Sequence, residues 1–329
     1  MNHRVVLLLA SFAGAFARLA DAAPVTGLAF SPDSAVLAVA SGQSVSLRNA
    51  ATGRESTSVS CGKERALALS FQPNGPLLAV GTGIPGERGG VRLLDWRRQA
   101  WLGSLSTNRD VVTSVAFSPD GQSLATTSAD GSATLHRIES NGAKLTAAFP
   151  LIGHSAAVQA VAFSPDGGIL VTASMDRSLK VWSAADGRLL RSFGQHTDAV
   201  LALAFRPVVP DRADASPYCA SGGDDRTVRV WQPSIGRMVR IVRQHDGPVL
   251  ALAYTPDGRF LFSSGQEGFI RCIDADSDEV LGQWRASADW IYSLSVSPDG
   301  RTLAAGNWAG AVGLWELTGS GLRMRYEER

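Results

Sequence analysis

One pattern recurs seven times along this 329-residue chain and leaves little choice of architecture. It reads V-x-x-(L/V)-x-(F/Y)-S-P-D-G. Its aromatic position, or the equivalent, falls at Phe30, Phe71, Phe117, Phe163, Phe205, Tyr254 and Val296, at spacings of 41, 46, 46, 42, 49 and 42 residues. A period of this size marks similar units stacked on one another, because one such unit cannot bury its apolar face alone. After each copy come an apolar run, a short turn and a second β-rich run. Unit four is the fullest: VQAVAFSPDG, GILVTAS, MDRS, LKVWSA, ADGR, LLRSF, GQH. The parse is four short strands, a to d, with turns between them.

Each turn has a mechanism. In Ser164-Pro165-Asp166-Gly167 the proline presets φ near −65° and the glycine accepts positive φ. Pro-Asp-Gly also follows Ser118, Thr255 and Ser297, whereas unit one has Ser34 in place of the glycine and unit five loses the motif after Pro207. Strand a alternates small and large apolar residues, as in Val161-Ala162-Phe163. The small ones let strands crowd near a central axis.

These residues carry a family resemblance. The chain resembles the WD-repeat family, whose members are β-propellers of four-stranded blades. Unit four supplies Gly153-His154, Asp176 and Val181-Trp182; unit five supplies Gln195-His196, Asp225 and Val230-Trp231. Unit seven keeps Leu314-Trp315 with Ser287 at the His place, and unit six has His245 and Glu267 with Cys272-Ile273 for the Val-Trp pair. Units one to three drift further, with Arg48, Leu94 and His136 at the Trp position. The resemblance covers about residues 23–329. It implies an all-β fold, a seven-bladed β-propeller of four-stranded antiparallel blades.

Closure of the ring can also be read. Trp182 to Val200 and Trp231 to Val249 are each 18 residues, while Trp182 to His196 and Trp315 to Arg329 are each 14. The chain therefore stops where an eighth unit would begin, and Leu322 to Tyr326 can form the outer strand of blade seven. The expectation is that every blade is contiguous chain and that blade one packs on blade seven.

The N-terminus has the layout of a secretory signal: Arg4, then apolar and small residues from Val5 to Ala17, then Ala15-Phe16-Ala17 or Ala20-Asp21-Ala22 as a small-x-small cleavage site. The domain reading is a signal over 1–22 and one propeller over 23–329, with a mature start at Arg18 or Ala23. Cleavage makes the protein periplasmic or extracellular; an uncleaved segment packs into the fold and leaves it cytoplasmic. No apolar run reaches the roughly 18 residues of a membrane-spanning helix.

His154, Asp176 and Thr172 (or Ser174) invite a catalytic-triad reading. Recurrence at a fixed place in the repeat argues for a structural role instead. In the resembling family His, Asp, Ser/Thr and Trp form a hydrogen-bonded tetrad inside a blade. That implies His154, Thr172, Asp176 and Trp182 in blade four and His196, Ser221, Asp225 and Trp231 in blade five. H-E-x-x-H, C-x-x-C, G-x-S-x-G and P-loop motifs are absent. The reading is no enzyme, no cofactor and no metal. The acidic run Asp274, Asp276, Asp278, Glu279 fits a solvated turn better than a calcium loop. Cys219 and Cys272 fall in strands b and c as buried thiols, and Cys61, in a loop, is the exposed thiol.

Binding is expected on loops at the channel mouth, since the core consumes the strands. In the resembling family the d–a and b–c loops build one face. Trp290 and Trp308 of blade seven map there, as a binding pair or as a cap on the closure seam. Asp289, Arg109, Asp110, Arg65 and Asp198 lie on nearby loops. These mixed signs suit a protein or peptide, and 31 Lys+Arg against 30 Asp+Glu give no basic excess for nucleic acid. The period is broken by Ile84–Arg88 in the b–c loop of blade two, a longer strand d around Phe149 to Ile152 in blade three, and Val208 to Ser216 in blade five. The functional reading is a monomeric, non-catalytic scaffold for a protein or peptide. The alternatives are a propeller enzyme with a channel-bound metal or cofactor, and an accessory module without a specific ligand.

Overall fold

The structure is a computed structural model that describes residues 23–139, 145–208, 217–318 and 321–327. The described residues form seven four-stranded antiparallel sheets and no helix. In every sheet the strands follow chain order, so each blade is one contiguous stretch. The blades span 25–60, 65–108, 112–150, 158–193, 200–242, 249–285 and 291–327. Strand a of each blade lies against strand a of the next, and that of blade one against that of blade seven, which closes the ring.

Burial falls from the axis to the rim. In blade five, strand b (Cys219–Gly223) is buried at every residue. In blade four, strand d (Leu189–Phe193) is exposed except at Phe193. Inner strands are covered on both faces by neighbouring blades, so they read as continuous apolar or small runs. Two positions near the axis are small in every blade but the third. Val249 of blade six packs on Gly222 of blade five, where an added Cβ would stand 2.5 Å from the valine Cγ1. The same positions in the other blades hold Ala40, Gly81, Thr127, Ala173, Ser264 and Gly306, and each pairs with Gly, Ala or Ser on strand a.

The Ser-Pro-Asp-Gly turns work as a unit. The Ser164 hydroxyl donates to Asp166 Oδ1 at 2.5 Å and accepts the Ile169 N–H at 3.1 Å, while the Gly167 N–H donates to the Ser164 carbonyl at 2.8 Å. Blades one, three, six and seven repeat it on Ser31, Ser118, Thr255 and Ser297. Ser34, the departure from glycine, does adopt positive φ (60°). Its hydroxyl accepts the Asp299 N–H at 3.0 Å, a link from blade one to blade seven that glycine could not make. The closure seam is otherwise apolar: Val25, Leu28, Phe30 and Val39 of blade one pack with Ala304, Val312 and Leu314 of blade seven, flanked by Tyr326. Leu322 to Tyr326 lies in strand d of blade seven (Gly321–Glu327).

Three sequence expectations need correction. Cys61 does sit in a loop, but it is buried (3% exposed) among Val59, Trp96 and Trp101, because the loop folds back over the blade-one to blade-two interface. Its burial pushes the thiol up from its ordinary value. Ile84 and Arg88 are not loop residues: they pair as the last rung of an extended b–c hairpin, Leu77–Ile84 with Arg88–Asp95, because the inserted residues continue the ladder. Strand d of blade three is Leu145–Pro150 and is not lengthened. Leu151 and Ile152 follow it, the first buried and the second exposed. Residues 1–22, read from sequence as an export signal, and residues 209–216 of the blade-five insertion lie outside the described residues.

Candidate functional site

The structure brings His154, Thr172, Asp176 and Trp182 together in one chain of hydrogen bonds. Trp182 Nε1 donates to Thr172 Oγ1 at 2.8 Å. His154 Nε2 stands 2.7 Å from the same oxygen, and His154 Nδ1 stands 2.8 Å from Asp176 Oδ2. A neutral ring with its proton on Nδ1 satisfies every group. Ser174, the other candidate, is used elsewhere: its hydroxyl donates to the Ala156 and Ala157 carbonyls. Burial works against ionisation of Asp176, yet the hydrogen bonds from His154, Ser178 and the Ser155 N–H outweigh it and hold the carboxyl below its ordinary range. Blade five repeats the arrangement: Trp231 Nε1 to Ser221 Oγ at 2.8 Å, His196 Nε2 to the same oxygen at 2.7 Å, His196 Nδ1 to Asp225 Oδ2 at 2.8 Å. The His154 and His196 side chains have no exposed surface.

The other blades vary this network. In blade six Arg271 donates to His245 Nδ1 at 3.0 Å and ion-pairs with Glu267, while His245 Nε2 stands 2.9 Å from Ser263 Oγ. Burial and the adjacent Arg271 push His245 down to about 4. In blade three His136, at the Trp place, faces Thr126 Oγ1 at 3.2 Å, and burial alone pushes it down to about 4. In blade seven Asn307 Nδ2 donates to Ser287 Oγ at 2.9 Å.

The channel mouth has its own logic. Every strand a carries a bulge near its start, two residues in for blade two and one residue in for the others, and the unpaired residue is Thr26, Leu67, Thr113, Gln159, Leu201, Leu250 or Tyr292. A bulge re-aims its side chain. All seven line one axial cavity of about 230 Å³, with Arg65, Asp110, Asp224 and Gln266 among its other walls. Thr26 and Thr113 each donate across to the next blade, to the Ala66 and Val158 carbonyls. The ring is polar at blades one, three and four. It is apolar or aromatic at two, five, six and seven.

Blade seven differs from the rest on this face. Trp290 and Trp308 are half-buried and held by the Trp308 N–H donating to the Trp290 carbonyl at 2.9 Å. Tyr292 joins them: the ring centroids are 6.1 Å apart for Trp290 and Tyr292, 6.2 Å for the two tryptophans and 5.5 Å for Tyr292 and Trp308. The residues at the three matching positions are Pro24, Thr26 and Gly42 in blade one, Val111, Thr113 and Ala129 in blade three, and Pro248, Leu250 and Gln266 in blade six. No other blade places an aromatic residue at any of the three.

Of the charges picked from sequence, Arg65 and Asp110 line the mouth, while Asp289, Arg109 and Asp198 lie outside its wall. Asp289 Oδ1 accepts the Trp290 N–H at 2.7 Å, and the Arg109 N–H donates to Asp130. Sequence reasoning missed Tyr292, Asp224, Leu201 and Leu250. Part of the signal was present: Leu201, Leu250 and Tyr292 each directly follow the first paired residue of their strand a, so aligning these units column by column finds them, whereas Asp224 follows strand b and carries no such mark.

The acidic run is a turn. Asp274 Oδ1 accepts the Asp276 and Ser277 N–H groups, Asp276 ion-pairs with Arg206 at 2.8 Å and Asp278 with Arg240 at 2.9 Å. Among the described residues no group of three His, Cys, Asp or Glu side chains is placed to hold a metal ion.

Seven four-stranded blades closed around an axial opening, with a repeated His-based hydrogen-bond chain inside the blades, define a repeat-built β-propeller. The chain belongs to the WD40 family (WD domain, G-beta repeat), whose profile matches residues 17–49, 100–136, 145–183, 187–232, 236–274 and 278–316. No match falls on residues 50–99, which hold most of blade two, and the first match begins inside the segment read as an export signal. The chain is similar to COMPASS component SWD3 of Saccharomyces cerevisiae, at 26% identity over 264 residues. That alignment covers 78% of this chain and 65% of the relative, so the chain spans just under two thirds of that protein's length.

Proposed function

We propose that this propeller is a non-catalytic platform that binds an extended protein segment or peptide across the channel mouth, anchored on blade seven. The observation that carries the reading is the Trp290, Tyr292 and Trp308 cluster, three rings at positions where the other blades hold none. Half-exposed aromatic residues beside a cavity are the usual anchors of protein recognition. The His154 and His196 networks are structural in this reading, since a catalytic imidazole must reach a substrate and these rings have no exposed surface. A relative named as a component of COMPASS supports an interaction role.

The test is a dodecapeptide display library panned on the full chain. Binders of the unaltered protein that lose about tenfold or more in affinity for a Trp290→Ala, Trp308→Ala double variant support the platform. Binders indifferent to both changes sink it, provided the variant keeps its thermal midpoint. Where the platform works is decided by the N-terminal mass of the protein from its native host. Arg18 or Ala23 at the terminus means export, and Met1 or Asn2 means retention.

A further inference from the structure

Blade two keeps the strands of a blade but not its hydrogen-bond chain. Aligned by register, the places of His154, Thr172, Asp176 and Trp182 are taken by Gly62, Val80, Ile84 and Leu94. A Cβ added to Gly62 would meet no atom within 4 Å, so the imidazole of blade four has no counterpart here. Beside it lies a cavity of about 350 Å³ with Cys61 and Lys63, the two neighbours of Gly62, on its wall. The cavity also touches Thr82 and Gly90, which stand at the places of Ser174 and Ser178. The loss of the buried network has left a polar slot in its stead.

Arg92 is the group in this slot that the fold leaves unanswered. It holds the strand-c place of Lys180, Arg229 and Arg271. Those three find partners inside their own blades: Ser192 for the first, Thr227 and Asp225 for the second, His245 and Glu267 for the third. Among the described residues no hydrogen bond or ion pair reaches the Arg92 guanidinium. It lies over the Trp101 ring, 4.0 Å from the centroid, and Trp101 Nε1 donates to the Ser60 carbonyl at 3.1 Å. The half-buried guanidinium is therefore held in place with its N–H donors unused. Lys63 and Arg88 add two cations to the wall, and Ser104 adds a hydroxyl. Glu64, the one acid on that wall, is engaged by Arg88 and Thr82. Three cations against one carboxylate leave an excess of two positive charges. A phosphate monoester carries close to two negative charges at neutral pH and presents three acceptor oxygens, which a guanidinium grips in pairs. A carboxylate would match only half of the excess. We propose that this slot of blade two is a phosphate-binding site, taking phosphate or a phosphate monoester against Arg92, with Lys63 and Arg88 beside it. The site lies on a different blade from the aromatic cluster and does not depend on the platform reading.

The experiment titrates the full chain at low salt with glycerol 3-phosphate and, separately, with inorganic phosphate, by calorimetry. The expected result is saturable binding of one anion per chain. Arg92→Gln weakens it about tenfold or more, the loss of a charge-assisted pair of hydrogen bonds. Glu64→Gln removes the competing charge and strengthens binding about twofold to fivefold, a gain that misfolding cannot produce. Binding of the ester alone identifies a phosphorylated molecule as the ligand, and equal binding of both identifies the free anion; either supports the site. No saturable binding of either probe overturns it, and so does an affinity that Arg92→Gln leaves unchanged. If Arg92→Gln fails to fold, Glu64→Gln decides alone, and an unchanged or weaker affinity in that variant overturns the inference.

Discussion

Blades five and six solve one packing problem with opposite protonation. In blade five, the Asp225 carboxylate accepts the hydrogen bond of the His196 Nδ1–H and Trp231 caps the chain through Ser221. In blade six, Ile273 stands where the Trp would be, and Arg271, a permanent donor, occupies His245 Nδ1. The proton of His245 must then lie on Nε2, toward Ser263. Arg229 holds the same strand position in blade five, yet it turns to Thr227 and Asp225 and leaves its His alone. The comparison teaches that the blade requires a closed set of donors and acceptors around a buried His, and that several residue sets can close it.

The largest expected effect comes from removing the Trp. Trp231→Ala should cost about 3–5 kcal/mol of stability in urea unfolding, against about 0.5–1.5 kcal/mol for Ile273→Val in blade six. Equal costs would mean that blade five gains nothing from its indole. Glu267→Ala should come next, at about 3 kcal/mol, because it strands Arg271 in a buried site, although the partial exposure of Glu267 keeps the figure at the low end of the range for such pairs. Acid sharpens the contrast. His136 and His245 titrate near 4 in the fold and near 6.5 when unfolded. Their share of the stability is present above about pH 6.5 and is lost as pH falls through about 4. Arg271→Leu should move the His245 titration up toward 6.5 by NMR. No movement would show that burial alone holds it down.

Asp224→Asn should raise the thermal midpoint. A carboxyl whose value is raised from 3.8 to about 6 contributes stability that is present below about pH 4 and lost as pH rises through about 6. The variant should therefore gain at pH 7.5 and little at pH 4. The smallest effect belongs to blade two, where Glu64 meets Thr82 at 2.9 Å and the half-exposed Arg88 at 3.2 Å. Glu64→Gln should cost under about 1 kcal/mol, as for other solvated pairs.

Blade two also shows how much of the fold was legible. It has no His, no Trp at the strand-c position and no family match over residues 50–99, yet its period and alternation placed it correctly among the seven blades. Strand pairing follows from alternation and turn chemistry, which are local. The burial of Cys61 was not legible, because it depends on which side of a loop the next blade covers. The choice of Thr172 over Ser174 was left open for the same kind of reason: both hydroxyls point to one face of the strand, and only register against His154 separates them.

The sequence by itself determined the number of blades, their four strands, the turns between them and the candidate tetrads in blades four and five. Each of these repeats at a fixed period, and repetition averages out local ambiguity. Tertiary structure alone decided which side chains share the axial cavity. Tyr292, Leu250, Leu201 and Asp224 come from three blades and meet only because the ring closes and a bulge in each strand a turns one residue inward.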